Sequence, residues 1–228
     1  MLVDYLIKQN WLQTPRIIRA FQKIKRADFL PGEFKDYAEL NQSFPIGWGQ
    51  SISQPLMVAF ILERLQPENG DKILEIGSGS GWATALLAEI ISQKNEKSGA
   101  EQKKGIIISL EAIPEIKESA QQNIAKYGFF ETKLVELYSA DGYNGYQKMA
   151  ERTDLAGGFD KIFSTSSLKE LPQAWKDQLK IGGTIVAPIG SSIWQITKTG
   201  KNKFEEVEFP DFAFTPMFGE QQQQLIRV

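Results

Sequence analysis

The stretch at residues 72–87, KILEIGSGSGWATALL, limits the possible folds of this chain more than any other. Its first five residues predict a short buried strand, and Gly77, Gly79 and Gly81 predict a tight turn. Residues 82–90, rich in Ala and Leu, predict a helix. A strand that turns through glycines into a helix N-terminus brings backbone N–H groups close to a bound ligand. The stretch therefore predicts a nucleotide-type pocket.

The segments after this turn alternate between strand and helix patterns. We predict strands at residues 72–76, 106–110, 133–138, 159–163 and 184–188, and helices at 82–90, 114–127 and 172–180, the last closed by two glycines at 182–183. Such alternation favours an α/β fold whose mostly parallel sheet carries helices on both faces.

The two ends of the chain add to this core. Residues 2–10, 14–24 and 55–65 have helical spacing and predict an N-terminal helical cap, whereas 194–197 and 204–209 predict a hairpin around Gly200. We expect one domain of 1–228, divided into 1–65 (cap and active-site loop), 66–190 (cofactor-binding core) and 191–228 (C-terminal hairpin and tail). The polar run at 92–104 predicts a mobile loop or a frayed helix end.

The composition excludes several kinds of chemistry. The 228 residues include no Cys and no His, which excludes disulfides, thiol catalysis, Ser-His pairs and the commonest zinc ligands, so we expect no metal. The formal net charge of −2 gives no reason to expect nucleic acid or an anionic membrane as partner. No apolar run is long enough to cross a bilayer and no signal-peptide pattern is present, so we expect a cytoplasmic protein. We also expect a monomer.

Glycine-rich turns of this kind bind NAD, FAD and S-adenosylmethionine alike, so the neighbouring residues must discriminate between them. The dinucleotide fingerprint requires a small residue where this chain has Trp82. Glu75, two residues before Gly77, would repel a pyrophosphate but suits a ligand with an ammonium and a sulfonium group. No P-loop lysine follows the glycines, which disfavours ATP. These residues favour S-adenosylmethionine.

Acidic residues also follow the next two predicted strands. Glu111 ends the second strand, where a carboxylate can accept hydrogen bonds from both ribose hydroxyls. Asp141 and Gly142 follow the third strand and are placed to meet the adenine edge. The carboxyl ends of parallel strands form one crevice, so we expect these residues to converge with the glycine turn.

Two motifs carry a resemblance to a known family. With PIGWGQSISQP at 45–55 and LEIGSGSG at 74–81, the sequence resembles the protein-L-isoaspartate O-methyltransferase family over roughly residues 26–217. Further pieces follow in family order at 141–142, 159–162, 178–183 and 187–190. The first motif is far more specific than the glycine turn, which related methyltransferases share.

The resemblance implies a Rossmann-like class I fold in which S-adenosylmethionine is the methyl donor and an isoaspartyl peptide is the acceptor, so that methylation starts protein repair. It implies that Ser53 is the active-site serine, that residues 50–53 form the loop over the methyl donor, and that the order of the last strands is rearranged so that the C-terminal segment completes the substrate groove. The candidate cofactor contacts are then Gln50, Ser51, Ile52, Ser53, Glu75, Gly77, Gly79, Glu111, Asp141 and Gly142.

Three points remain open at the level of the sequence. Residues 164–168, STSSL, depart from the family pattern beside the substrate, which bears on specificity. We expect Trp48 to pack under the 44–55 loop rather than to contact substrate. A methyltransferase acting on another carboxylate or on a small molecule, and a non-catalytic cofactor-binding adaptor, stay as alternatives; an NAD-dependent oxidoreductase is opposed by Trp82 and by the lack of a catalytic His or Tyr-x-x-x-Lys pair.

Overall fold

A computed structural model describes residues 1–93, 104–210 and 212 of the chain. Six α-helices lie within this part: α1 (Leu2–Lys8), α2 (Pro15–Lys23), α3 (Pro55–Leu65), α4 (Trp82–Ser92), α5 (Pro114–Ala125) and α6 (Gln173–Gln178). Three of them, α2, α3 and α5, begin with proline, whose fixed φ and missing N–H suit the first helical position.

Nine strands lie in the same part of the chain: β1 (Phe44–Gly47), β2 (Gln50–Ile52), β3 (Lys72–Ile76), β4 (Ile106–Glu111), β5 (Val135–Ser139), β6 (Phe159–Ser164), β7 (Leu179–Ile189), β8 (Ser192–Gly200) and β9 (Lys203–Phe209). The first two pair with each other as a separate antiparallel hairpin, and the other seven form one sheet.

The seven-stranded sheet has the order β5-β4-β3-β6-β7-β8-β9. The strands β3 to β7 pair in parallel, and β8 is antiparallel to both of its neighbours. From β3 the chain runs outward to β4 and β5 and then returns to the other side of β3 as β6. The carboxyl ends of β3, β4 and β6 therefore flank the switch point at which such sheets bind their ligands.

The two faces of the sheet are buried under different elements. On β3, Ile73 joins the core shared with α1 to α5, whereas Leu74 and Ile76 join a second core around Trp175 of α6. Side chains alternate between faces along a strand, so this division follows from the sequence KILEI. Helices thus cover both faces, and the predicted Rossmann-like architecture with an N-terminal helical cap is confirmed.

Two local predictions differ from the structure. Residues 44–55 begin as an antiparallel hairpin rather than a loop, with Phe44 opposite Ile52. The helix predicted at 172–180 ends at Gln178, and β7 runs through both glycines. A Cβ on Gly183 would lie 2.9 Å from the Asp160 carbonyl oxygen, so glycine allows close approach of β6 and β7 there instead of ending a helix.

The C-terminal prediction of a hairpin around Gly200 is confirmed by the pairing of β8 with β9, and β7, β8 and β9 lie side by side in chain order. Most of the polar run at 92–104 and the tail beyond 212 lie outside the described residues. The division into one domain stays a prediction; in its favour, Leu6 and Ile17 of the cap share a core cluster with Leu86 of α4. None of the described helices is long and apolar enough to cross a membrane.

Candidate active site

A cavity lies at the carboxyl ends of the parallel strands, beside the β1–β2 hairpin. Its volume, including space open to solvent, is about 590 Å³. The residues that line it come from the hairpin, the glycine turn and the ends of β3 to β6: Gln50, Ser51, Ile76, Gly77, Gly79, Leu110, Glu111, Ala112, Ala140, Asp141, Gly142, Thr165 and Ser166.

The glycine turn has the backbone geometry that its sequence predicts. Gly77, Gly79 and Gly81 have φ of 84°, 52° and 86°, a region that favours glycine. The Gly77 N–H donates to the carbonyl of Leu110 at 2.8 Å, which fixes the turn against the end of β4. A Cβ on Gly81 would lie 2.9 Å from Cγ1 of Ile124, so this glycine lets α4 pack closely on α5.

Glu111 lies at the end of β4, as predicted, and its carboxylate lines the cavity. One oxygen accepts the N–H of Gly79 at 3.0 Å and the other accepts that of Ile113 at 3.1 Å. Burial raises the pKa of Glu111, while these backbone donors act in the opposite direction. Each carboxylate oxygen can accept a further hydrogen bond, so the group can still receive two hydroxyl donors from a ligand.

Glu75 would have to lie at the cavity to contact the cofactor, and the structure places it elsewhere. Its side chain is fully buried on β3, where one carboxylate oxygen accepts the hydroxyls of Thr84 at 2.5 Å and Ser109 at 2.6 Å. It does not line the cavity. Burial raises the pKa of Glu75 to about 7, opposed by these two hydroxyl donors. The structure thus places Glu75 in the support beneath the glycine turn, between β3, β4 and α4.

Asp141 and Gly142 both line the cavity after β5, as the sequence predicts. The exposed Asp141 carboxylate accepts the N–H of Tyr143 at 2.9 Å and so holds the start of a short 3₁₀ turn. A Cβ on Gly142 would lie 2.5 Å from Cγ2 of Ile76, so the loop reaches the end of β3 only because this residue is glycine. The Gly142 carbonyl accepts the indole N–H of Trp175.

The β1–β2 hairpin forms another wall of the cavity. Gln50 and Ser51 line it, whereas Ile52 points into the core with 3% of its surface exposed. Ser53 follows directly after β2 without lining this cavity, and its carbonyl accepts a hydrogen bond from Arg26. Seven of the ten predicted contacts therefore surround the cavity, and Ile52, Ser53 and Glu75 do not.

The expected position of Trp48 is wrong. Trp48 does not pack under the hairpin but stands at its tip with 61% of its surface exposed. It has φ of 55° between Gly47 and Gly49, which have φ of 93° and 70°. Three successive residues of positive φ turn the chain so tightly that the indole is directed away from the core.

The cavity also has lining residues that the sequence analysis did not assign to the cofactor. They are the neighbours of the strand-end acids and the start of the segment after β6: Ile76, Leu110, Ala112, Ala140, Thr165 and Ser166. The family resemblance predicts the segment at 164–168 beside the substrate. Applying the rule for strand ends to the fourth strand as well would have placed Thr165 and Ser166 at the cofactor cavity.

The charge of the cavity identifies the kind of ligand that fits it. The described residues that line it include two carboxylates and neither Lys nor Arg. A nucleoside that carries a sulfonium and an ammonium group would meet favourable charge there. With the switch-point sheet and the glycine turn, this cavity defines a class I S-adenosylmethionine-dependent methyltransferase.

Comparison with known proteins identifies the family. The family model for protein-L-isoaspartate(D-aspartate) O-methyltransferase matches residues 1–222, so the chain belongs to that family. The protein-L-isoaspartate O-methyltransferase of Staphylothermus marinus is 32% identical over 223 residues, covering 96% of this chain and 93% of the relative. That of Flavobacterium psychrophilum is 36% identical over 215 residues, covering 93% and 90%.

Solved structures agree on the fold. A protein-L-isoaspartate O-methyltransferase from Plasmodium falciparum, described as putative and solved with S-adenosyl-L-homocysteine, has a TM-score of 0.80 at 22% identity and covers 94% of this chain and 95% of its own. Another protein-L-isoaspartate O-methyltransferase has a TM-score of 0.78 at 24% identity, covering 98% and 69%. The expected family, fold class, enzyme class and cofactor are thus confirmed.

Proposed function

We propose that this chain methylates the free carboxylate of L-isoaspartyl residues in damaged peptides and proteins, with the methyl donor in the strand-end cavity and the peptide against the β1–β2 hairpin. The observation that carries the proposal is that β2 lines the donor cavity and leads directly to Ser53. Gln50 and Ser51 line the donor cavity. Ser53, the serine that the family resemblance marks, follows Ser51 by two residues and comes directly after β2.

The donor side binds by shape and charge. Glu111 would accept the ribose hydroxyls, and Asp141 with Gly142 would border the adenine, while Ile76 and Leu110 provide apolar contact. When bound, S-adenosylmethionine supplies a methyl group attached to a positively charged sulfur. The carboxylates of the cavity favour such a cation.

The acceptor side requires orientation rather than a base. A carboxylate has a reference pKa near 4, so it is ionised and nucleophilic at neutral pH. A chain without His or Cys can therefore perform this reaction. We assign to Ser53 a hydrogen bond that holds the substrate carboxylate or its neighbouring amide in line with the methyl group. Glu75 is assigned a supporting role beneath the glycine turn, because its carboxylate faces Thr84 and Ser109.

The substrate proposal is tested with two peptides that differ only in the linkage of one aspartate. Labelled S-adenosylmethionine should methylate the L-isoaspartyl peptide strongly and its aspartyl twin at background level. Equal labelling of the two peptides would reject repair of isoaspartyl damage and favour a methyltransferase for other carboxylates. No labelling of either, with retained S-adenosylhomocysteine binding, would favour an adaptor.

The role of Ser53 is tested by Ser53→Ala. A hydrogen bond to a charged group contributes up to about 3 kcal/mol, so kcat/KM for the isoaspartyl peptide should fall about 100-fold. The affinity for S-adenosylhomocysteine, measured by calorimetry, should change less than threefold because Ser53 does not line the cavity. Ser119→Ala on the exposed face of α5 is the control. Unchanged turnover of Ser53→Ala would remove the residue from the mechanism.

The remaining partner assignments belong to the same proposal. We assign the chain as a cytoplasmic monomer that binds neither nucleic acid nor membrane, supported by its near balance of 26 basic and 28 acidic residues. Light scattering at micromolar concentration gives the mass directly, and a mass of twice 25.7 kDa would reject the monomer.

A further inference from the structure

Arg26 is a buried cation that the site described above does not use. It begins a short 3₁₀ helix, Arg26–Phe29, and only 5% of its surface is exposed. One terminal nitrogen donates to the carbonyls of Ala38 at 3.3 Å and Leu40 at 3.1 Å. The other donates to the carbonyls of Gln42 at 2.6 Å and Ser53 at 3.3 Å.

This cation is held by neutral groups. Within the described part of the chain Arg26 forms no ion pair, and its Nε has no acceptor. Its guanidinium carbon lies 5.5 Å from the ring centre of Phe44 and 5.3 Å from that of Trp82. Burial lowers the pKa of Arg26 to about 10, which leaves it charged at neutral pH. Desolvating a charge is costly, so stability alone gives weak reason for an arginine here.

The groups that Arg26 contacts belong to both halves of the site. Phe44 begins β1 and Ser53 follows β2, so these two contacts bracket the hairpin. Trp82 begins α4 directly after the glycine turn of the donor cavity. One guanidinium therefore joins the hairpin to the turn.

We propose that Arg26 is a positioning residue that fixes the hairpin, and with it Ser53, relative to the donor cavity. It acts through the Ser53 carbonyl and the Phe44 ring on one side and through the Trp82 ring on the other. This inference rests on the proposed function, because it takes Ser53 as the residue that orients the acceptor.

Lysine cannot replace this arrangement. The planar guanidinium presents its donors as a rigid fork, which here reaches four carbonyls while its faces remain available to the two rings. An ammonium group has three donors on one atom and cannot reach four carbonyls in these positions. Arg26→Lys thus keeps the positive charge and removes the planar fork of donors.

Arg64 on α3 provides a matched control. Its guanidinium carbon lies 5.2 Å from the ring centres of both Phe60 and Phe209, and its Nε is also buried without an acceptor in the described part of the chain. It does not line the cavity. Arg64→Lys therefore removes a similar two-ring contact without touching the hairpin.

The first experiment compares the full-length wild type, Arg26→Lys and Arg64→Lys. We expect Arg26→Lys to lower kcat/KM for the isoaspartyl peptide about 30-fold, since misplacement by about 1 Å can cost up to 100-fold. Its S-adenosylhomocysteine affinity should fall less than tenfold, because Gln50 and Ser51 of the hairpin are only two of the residues that line the cavity. Arg64→Lys should lose less than threefold in kcat/KM at a comparable drop in melting temperature. Equal losses in the two variants, or a parallel loss of cofactor affinity, would overturn the proposal.

A double-mutant cycle distinguishes positioning from general destabilisation. If Arg26 acts through Ser53, Arg26→Lys should cost less than about fivefold further in a Ser53→Ala background, because coupled residues are non-additive. A full 30-fold loss in both backgrounds would overturn the inference. Arg26→Gln, which donates from one amide, replaces Arg26→Lys if that variant does not fold. A wild type that fails to methylate the isoaspartyl peptide would instead reject the proposed function.

Discussion

The two sides of the site are built in different ways. On the donor side the glycine turn is fixed to β4 by the Gly77 N–H and by Glu111, and α4 behind it packs closely on α5. On the proposed acceptor side a hairpin of three residue pairs ends in an exposed tip, and a Cβ on Gly47 or Gly49 would meet no atom within 4 Å. The donor is one small molecule, which a closely packed cavity fits. Under the proposed function the acceptor peptides vary in sequence, which an open hairpin would admit.

The largest effect should come from the carboxylate of Glu111, on the closely packed donor side. Glu111→Ala removes the proposed acceptor of two ribose hydroxyls, each hydrogen bond contributing about 2 kcal/mol, so S-adenosylhomocysteine should bind about 1000-fold more weakly. Glu115→Ala in the exposed first turn of α5 should change the affinity less than twofold. Calorimetric titration measures both. Unchanged binding by Glu111→Ala would mean that the ligand lies elsewhere.

The stability of the fold should also depend on pH through Glu75, which lies beneath the glycine turn on the donor side. Burial raises the pKa of Glu75 from 4.5 to about 7. Between these values the unfolded chain loses the proton while the folded protein keeps it, so stability should fall as pH rises through this window and become level above about pH 7. At about 1.4 kcal/mol for each pH unit, the ionisation of Glu75 across this window should lower the free energy of unfolding by roughly 3 kcal/mol.

Urea unfolding of wild type and Glu75→Gln between pH 4 and 8 measures this contribution. Asp71, whose pKa burial raises to about 6, adds a dependence of the same sign in both proteins, so only the difference between the two curves reports Glu75. The stability of the variant relative to wild type should increase with pH. Parallel curves would mean that the pKa of Glu75 is the same in the folded and unfolded states.

Alanine substitution at two glycines compares packing on the two sides directly. Gly81 and Gly49 both have positive φ, 86° and 70°, so alanine strains the backbone similarly at each. Only at Gly81 would the new Cβ collide, at 2.9 Å from Ile124 and 3.1 Å from the Ala120 carbonyl. Gly81→Ala should therefore destabilise the fold by about 2 kcal/mol more than Gly49→Ala in thermal or urea unfolding. Equal losses would show that the turn can relax.

The smallest effect should come from the exposed indole at the hairpin tip. If Trp48 contacts residues that flank the isoaspartate, Trp48→Ala should raise KM for the peptide about fivefold, a loss of about 1 kcal/mol, with kcat and melting temperature nearly unchanged. Tyr5→Ala on α1, which removes another exposed aromatic ring, is the control. A KM equal to that of wild type would limit the peptide contacts to the inner part of the hairpin.

Much of the donor side could be predicted because its signals are local. A glycine where φ must be positive, an acid at a strand end and a run of apolar residues are each visible within a few positions, and the rule for strand ends then brings Gly77, Glu111 and Asp141 together. Glu75 shows the limit of such local evidence. Strand alternation directs its side chain toward Thr84 and Ser109, and the motif alone does not reveal which face that is.

The sequence by itself determined the fold class, the kind of methyl donor and the family, because these depend on short motifs with fixed spacing. Only the tertiary structure decided that Trp48 is exposed, that Gly183 belongs to a strand, and that Arg26 contacts both Ser53 and Trp82. These last contacts join residues 27 and 56 positions apart, so their geometry follows from tertiary packing around Arg26 rather than from any local preference of the chain.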